Sequence, residues 1–144
     1  MTVKEIYDIT MALMDEMIDN KTIQSNPEAD YKSTKDYTAR TPGILTILQT
    51  QVISYLKRFG ADIDFVEPLE NMDSEMSVDD SICMGVLPYG LAARLLGQED
   101  TSLSSYFSNL YDSNLAMAKD SIDDKYTAEQ KERENVYGLF RAGD

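Results

Sequence analysis

The sequence predicts an all-α protein: a single helical bundle of four main helices with an acidic, partly extended excursion and a C-terminal tail. Three observations carry this. Apolar residues recur at helical spacing in four separate stretches. Several stretches open on capping-type sequences and one closes on a glycine stop. The most apolar stretch, Val86 to Gly97, has the composition of a buried helix. In that stretch Leu87, Leu91 and Leu95 form one stripe, and Gly90, Ala93 and Gly97 a second one with almost no side chain. Glycine costs roughly 1 kcal/mol against alanine inside a helix. A bare stripe can let another backbone come close, and it predicts a close-packed neighbour.

Taken in order, Thr2-Val3-Lys4-Glu5 has capping-box spacing and opens a helix to about Asn20. Ile6, Ile9, Leu13 and Met17 are its expected core face, broadened by Met11, Met14 and Ile18. Residues 20–34 are polar, contain Asn26-Pro27, and read as a loop. After a helical lead-in over 35–40, Thr41 is the expected N-cap and Pro42 the first helical residue. That helix presents Leu45, Leu48, Val52, Tyr55 and Phe59, widened by Ile44 and Leu56, and stops near Gly60.

Residues 61–80 differ in kind. They hold eight carboxylates, and no Lys or Arg occurs between Arg58 and Arg94. Ile63, Phe65, Val66 and Leu69 are spaced as an extended segment laid on a core, interrupted at Pro68. The carboxylates lack the spacing of a calcium loop and read as solvated. Ser77-Val78-Asp79-Asp80 is a second capping-type start. Pro88 has no N–H to return to Met84, which predicts a kink or short break there. The central helix then runs to about Gln98. Glu99 to Ser102 form a turn and cap. The last helix, 102–119, presents Leu103, Phe107, Leu110 and Met117, with Tyr106, Tyr111, Leu115 and Ala118 alongside and its serines toward solvent.

Residues 1–119 are thus read as the domain and 120–144 as a tail. The tail has seven acidic and four basic residues and no sustained stripe. Its apolar cluster, Val136, Tyr137, Leu139 and Phe140, is the candidate partner-docking segment, with docking back on its own domain as the equal alternative.

Composition narrows the function. The net charge of −13 argues against binding nucleic acid through its phosphates. Absence of histidine removes the usual general base and the commonest transition-metal ligand. A single cysteine rules out an internal disulfide framework. There is no apolar run of membrane-spanning length, and the N-terminal residues lack a signal-peptide layout. The expectation is a chain made and folded in the cytosol, with no catalytic residues, no cofactor and no metal.

The combination of Arg40-Thr41-Pro42-Gly43-Ile44-Leu45, then Leu87-Pro88-Tyr89-Gly90-Leu91-Ala92-Ala93, then Glu99-Asp100, and then Ser105-Tyr106-Phe107 ahead of Tyr111 resembles head–tail connector (adaptor, head-completion) proteins of tailed bacteriophages and prophages. The resemblance spans Asp36 to Leu115. It implies a structural assembly role and no enzyme activity. Such adaptors form a ring, commonly twelve-fold, on the portal protein of a filled head. The ring extends the DNA channel and offers a surface to the next neck or stopper protein. The expected partners are therefore copies of the chain itself, the portal and the stopper. DNA only passes through, and no membrane is involved. The expected location is the virion head–tail junction, after synthesis in the host bacterial cytoplasm. Thr41, Pro42, Leu87, Pro88, Tyr89, Gly90 and Ala93 are read as fold-defining. Two alternatives stand beside this. One is an acidic regulatory or inhibitory binding protein, including a DNA mimic, from a mobile element. The other is an enzyme using Tyr and carboxylates such as Glu99 and Asp100, which have the simpler reading of a turn and cap.

Overall fold

The computed structural model describes residues 1–20, 36–63 and 67–120. Residues 21–35, which hold all but the first residue of the loop read over 20–34 and the first of the lead-in, Asp64, Phe65 and Val66 of the excursion, and the tail beyond 120 lie outside the described residues. The chain is all-α. The helices are α1 (Val3–Asn20), α2 (Thr41–Lys57), α3 (Asp80–Gly85), α4 (Leu87–Leu96) and α5 (101–120). Among the described residues the β-type pairing is one isolated antiparallel bridge between Thr2 and Glu75.

α1 starts as its capping sequence predicts: the Glu5 N–H donates to Thr2 Oγ1 at 3.3 Å. The two preceding N–H groups are satisfied from a distance. Val3 donates to the Ser74 carbonyl at 3.0 Å and Lys4 to the Met72 carbonyl at 2.8 Å, while Met76 N–H donates to the Met1 carbonyl at 2.9 Å. The excursion thus supplies acceptors for N–H groups that a helix start leaves without intrahelical partners. The buried face of α1 is Val3, Ile6, Thr10, Met11 and Met14, with Ile9, Leu13 and Met17 half-buried. It is rotated from the expected face because Thr10 can be buried: its hydroxyl donates to the Ile6 carbonyl at 2.7 Å.

At the start of α2 the structure corrects the expected cap. The N-cap position is Arg40, with no side-chain cap, and Thr41 is the first helical residue. Thr41 is fully buried and its hydroxyl donates to the Tyr37 carbonyl at 2.9 Å. The lead-in causes this. Residues 38–40 form a turn, closed by Arg40 N–H to the Tyr37 carbonyl at 3.2 Å. The Asp36 carboxylate accepts from both the N–H and the hydroxyl of Thr38. Those bonds hold the exposed Asp36 carboxyl below its ordinary pKa. At the other end Gly60 has φ of 97°. Gly60 N–H donates to the Lys57 carbonyl and Ala61 N–H to the Leu56 carbonyl, the two bonds of a Schellman ending. The buried face of α2 is Leu45, Leu48, Gln49, Val52, Ile53 and Leu56, with Tyr55 and Phe59 only half-buried.

The expected break before Pro88 falls at Val86, whose φ of −124° and ψ of −55° separate α3 from α4. Ser77 does not cap α3; Asp79 occupies that position without a side-chain bond. α4 is the centre of the molecule and packs against α1, α2 and α3. Leu87, Pro88, Gly90, Leu91, Ala92, Leu95 and Leu96 are all buried in it. α5 begins one residue earlier than expected, capped by Asp100: the Leu103 N–H donates to Asp100 Oδ1 at 3.0 Å. On α5 only Leu103 and Phe107 are fully buried, and Leu110, Tyr111, Leu115 and Ala118 are half-buried. Met117, expected on the stripe, is exposed, because it lies about 80° off the Phe107–Tyr111–Ala118 line at about 100° per residue.

Asp100→Ala is expected to remove the α5 cap and cost about 1 kcal/mol. Asp100→Asn should retain most of it. Thermal unfolding followed by circular dichroism checks both, and equal midpoints for Asp100→Ala and the unaltered chain would contradict the cap.

Candidate functional site

The residues singled out as fold-defining converge on α4 and its neighbours. Leu87, Pro88 and Gly90 are buried, while Tyr89 and Ala93 are half-buried. Thr41 and Pro42 open α2 beside them. Gly90 is a seat for side chains: a Cβ added there would lie 2.8 Å from the Tyr111 ring and 3.2 Å from Leu48 Cδ1. The close-packed neighbour is therefore present, and it consists of side chains and not of a backbone. The gap left by Gly90 takes an aromatic ring from α5 and a leucine from α2. Gly97 is no part of a packed stripe; an added Cβ would meet only carbonyls of its own turn. Ala93 contributes through its carbonyl, which accepts from Ser104 Oγ at 2.8 Å. Ser104 is thus a tie between α4 and α5, whereas Ser102, Ser105 and Ser108 do face solvent.

Aromatic and charged groups extend this junction to both ends of α2 and α5. Tyr37 Oη donates to Glu99 Oε2 at 2.5 Å. The Arg40 guanidinium carbon lies 5.2 Å from the Tyr37 ring centroid. The Phe107 ring meets Tyr106 edge-on at 5.5 Å and Tyr89 at 6.5 Å. At the far end Lys119 Nζ sits 4.4 Å from the Phe59 ring centroid. Glu99 therefore bonds the residue that leads into α2, and Asp100 caps α5.

The excursion is fastened to α2 by two polar side chains. Thr46 Oγ1 accepts from Leu69 N–H at 2.9 Å, and Gln49 Oε1 accepts from Ser77 N–H at 2.7 Å. Gln49 is fully buried. Nothing in the apolar periodicity had marked it, although a polar residue four positions after Leu45 on the core stripe was the available signal. Gln49 Nε2 and Tyr111 Oη are buried without a hydrogen-bond partner among the described residues. Asp62, Glu67, Glu70, Asp73, Glu75, Asp79 and Asp80 are all exposed. Among the described residues no group of three or more His, Cys, Asp or Glu side chains gathers to hold a metal ion. No described helix is long and apolar enough to cross a membrane.

Burial raises the pKa of two weak acids, Cys83 and the half-buried Tyr111. Burial, the largest cause, pushes the Cys83 thiol from 9.0 up to about 11, and its Sγ donates to the Val78 carbonyl at 3.6 Å. Burial also raises the Tyr111 phenol, with the adjacent Asp112 adding to it. The candidate docking residues Val136, Tyr137, Leu139 and Phe140 lie outside the described residues. Comparisons with models of protein families, with characterised proteins and with solved structures find no match to this chain.

Gly90→Leu is expected to overpack the junction and cost about 1–3 kcal/mol. The same change should cost less in a Tyr111→Ala background, because the two sites share one contact. An unaltered urea midpoint for Gly90→Leu would show that the seat is not tight. Cys83 gives a pH signature. The unfolded chain releases its thiol proton from about pH 9 and the native chain only near 11. The native state holds the extra proton in that window, so stability falls as pH rises from 9 to 11. Urea midpoints should drop more steeply across this window than those of Cys83→Ala.

Proposed function

We propose that this chain is a phage-type head–tail adaptor: a structural subunit that assembles as a ring on a portal, extends the DNA channel and offers a surface to the next neck protein. The observation that carries the reading is where the resembling segments lie relative to one another. Arg40 stacks on Tyr37, which bonds Glu99. Gly90 seats Tyr111, and Tyr89 and Tyr106 flank Phe107. Segments scattered over Asp36 to Leu115 thus act as one structural unit, as a shared fold motif requires. Exposed carboxylates also suit a channel wall, because a basic wall would hold the phosphates of passing DNA. On this reading the chain is not an enzyme, works in the virion, and has the portal, the stopper and its own copies as partners.

The test is the gene neighbourhood in the source DNA, followed by imaging. Portal and capsid genes on one side and tail genes on the other are expected. Electron microscopy of the chain mixed with the portal protein encoded beside it should then show an added ring. Neighbours from metabolism or transcription would sink the adaptor reading and leave the acidic inhibitory protein as the working alternative. Competition with DNA for a basic protein would then be the assay.

A further inference from the structure

Residues 67–78 are held differently from the rest of the domain. They form no helix. Within them Leu69, Met76 and Val78 are buried, Met72 and Ser74 are half-buried, and the rest are exposed. Even the buried three keep 7%, 9% and 6% of their surface, whereas Leu87, Leu91, Ala92 and Leu96 of α4 keep none. A segment with few buried apolar side chains opens more readily than the core beneath it.

The bonds that fasten the segment lie outside the helices' own ladders. On α2, Thr46 Oγ1 accepts from Leu69 N–H and Gln49 Oε1 from Ser77 N–H. At the α1 start, Val3 and Lys4 donate to the Ser74 and Met72 carbonyls, and Met76 donates to the Met1 carbonyl. Neither helix needs these bonds for its own turns, so they can break together with α1 and α2 intact. The Thr46 hydroxyl keeps its bond to the Pro42 carbonyl, at 2.9 Å, in either case. Gln49 Nε2 is buried without a partner among the described residues. Lifting the segment brings that amide to water, which offsets part of the loss. The segment also holds its own shape. Ser74 Oγ accepts from the N–H groups of Glu70 and Asn71, both at 3.1 Å, and Asp73 N–H donates to Asn71 Oδ1 at 2.9 Å. Charge adds little to the hold. Residues 67–78 carry Glu67, Glu70, Asp73 and Glu75 and no basic side chain. The Met1 ammonium lies 3.5 Å from Glu75 Oε2, but the Glu75 side chain is 73% exposed, and exposed ion pairs contribute little.

We infer that residues 67–78 form a strap that lifts from α1 and α2 as one unit while the helices stay packed, so that the surface under it is gated. Closed, the strap occupies the N–H groups of Val3 and Lys4 and the side-chain acceptors of Thr46 and Gln49. Open, those groups face solvent together with the seats of Leu69, Met76 and Val78. Asp79, extended ahead of α3 with φ of −58° and ψ of 151°, is where the strap rejoins the helices. Rotation at such a position absorbs the movement. The inference goes beyond the adaptor reading and does not rest on it.

Native-state hydrogen exchange of the full chain, followed amide by amide by NMR in low urea, tests the strap. The amides of Val3, Lys4, Leu69, Met76 and Ser77 should share one opening free energy and one small urea dependence. Their protection should be at least about tenfold below that of Leu91 and Leu95 in α4, which open only with the whole domain. Two variants separate the openings. Asp100→Ala removes a cap that is present whether the strap is closed or open. It should speed exchange of the α4 amides about fivefold and leave the strap amides unchanged. Met76→Asp puts a charge under the closed strap, which burial disfavours. It should strip protection from the strap amides, while the helical circular dichroism and the protection of α4 persist. The proposal is overturned if the strap amides are as protected as those of α4 or open with unrelated free energies. It is equally overturned if Asp100→Ala speeds both sets alike, or if Met76→Asp either leaves the strap protected or unfolds the helices.

Discussion

The structure depends on the absence of a side chain at Gly90. α4 is buried on nearly all sides, and the helices packed against it must each find room. Leu48 from α2 and the Tyr111 ring from α5 meet where a Cβ would stand. That one gap sets how close α2 and α5 lie, and so how Tyr37 reaches Glu99 at one end and Lys119 reaches Phe59 at the other. The helix tolerates a glycine because the neighbouring ring and leucine fill its space, at the dispersion and burial gain typical of close-packed interiors.

A second constraint is polar. The excursion over 67–80 has too few apolar residues to hold itself on the core; Leu69, Met76 and Val78 are its buried hydrophobes. It is held by backbone pairing to the start of α1 and by side-chain acceptors on α2. Gln49 is the costly member. Its Oε1 accepts the Ser77 N–H, while its Nε2 lacks a partner among the described residues. An unmet donor of that kind costs about 1–3 kcal/mol. The compensation is that the acidic segment is kept flat on the domain with its carboxylates in water.

Among the described residues, exposed carboxylates concentrate on α1 and residues 67–80, whereas α2 carries only Lys57 and residues 101–118 of α5 only Asp112. The distribution of charge thus follows the elements. It lies in the exposed halves of helices whose buried halves are ordinary, which is why overall composition hides it.

Much of the fold was legible in the chain. Thr2, Gly60 and Asp100 act on backbone groups within five residues of themselves, so their roles follow from local spacing, and the break at Val86 follows from the missing N–H of Pro88. The all-α class and the central place of Leu87–Leu96 follow from periodicity and composition. The tertiary structure decided what fills the Gly90 gap, that Thr41 is buried in the helix it was expected to cap, that Gln49 belongs to the core, and that Ser104 ties α4 to α5. It also turned Met117 and Tyr106 outward. The candidate docking residues of the tail lie outside the described residues, so the part of the site that was read from the chain and can be located is the α4 junction. The physical reason for the division is range. Caps and stripes depend on a few neighbouring residues, whereas Gly90 with Tyr111, or Gln49 with Ser77, are pairings across distant parts of the chain. Such pairings are selected by the shape and hydrogen-bonding needs of the folded interior, which exist only once the helices have packed.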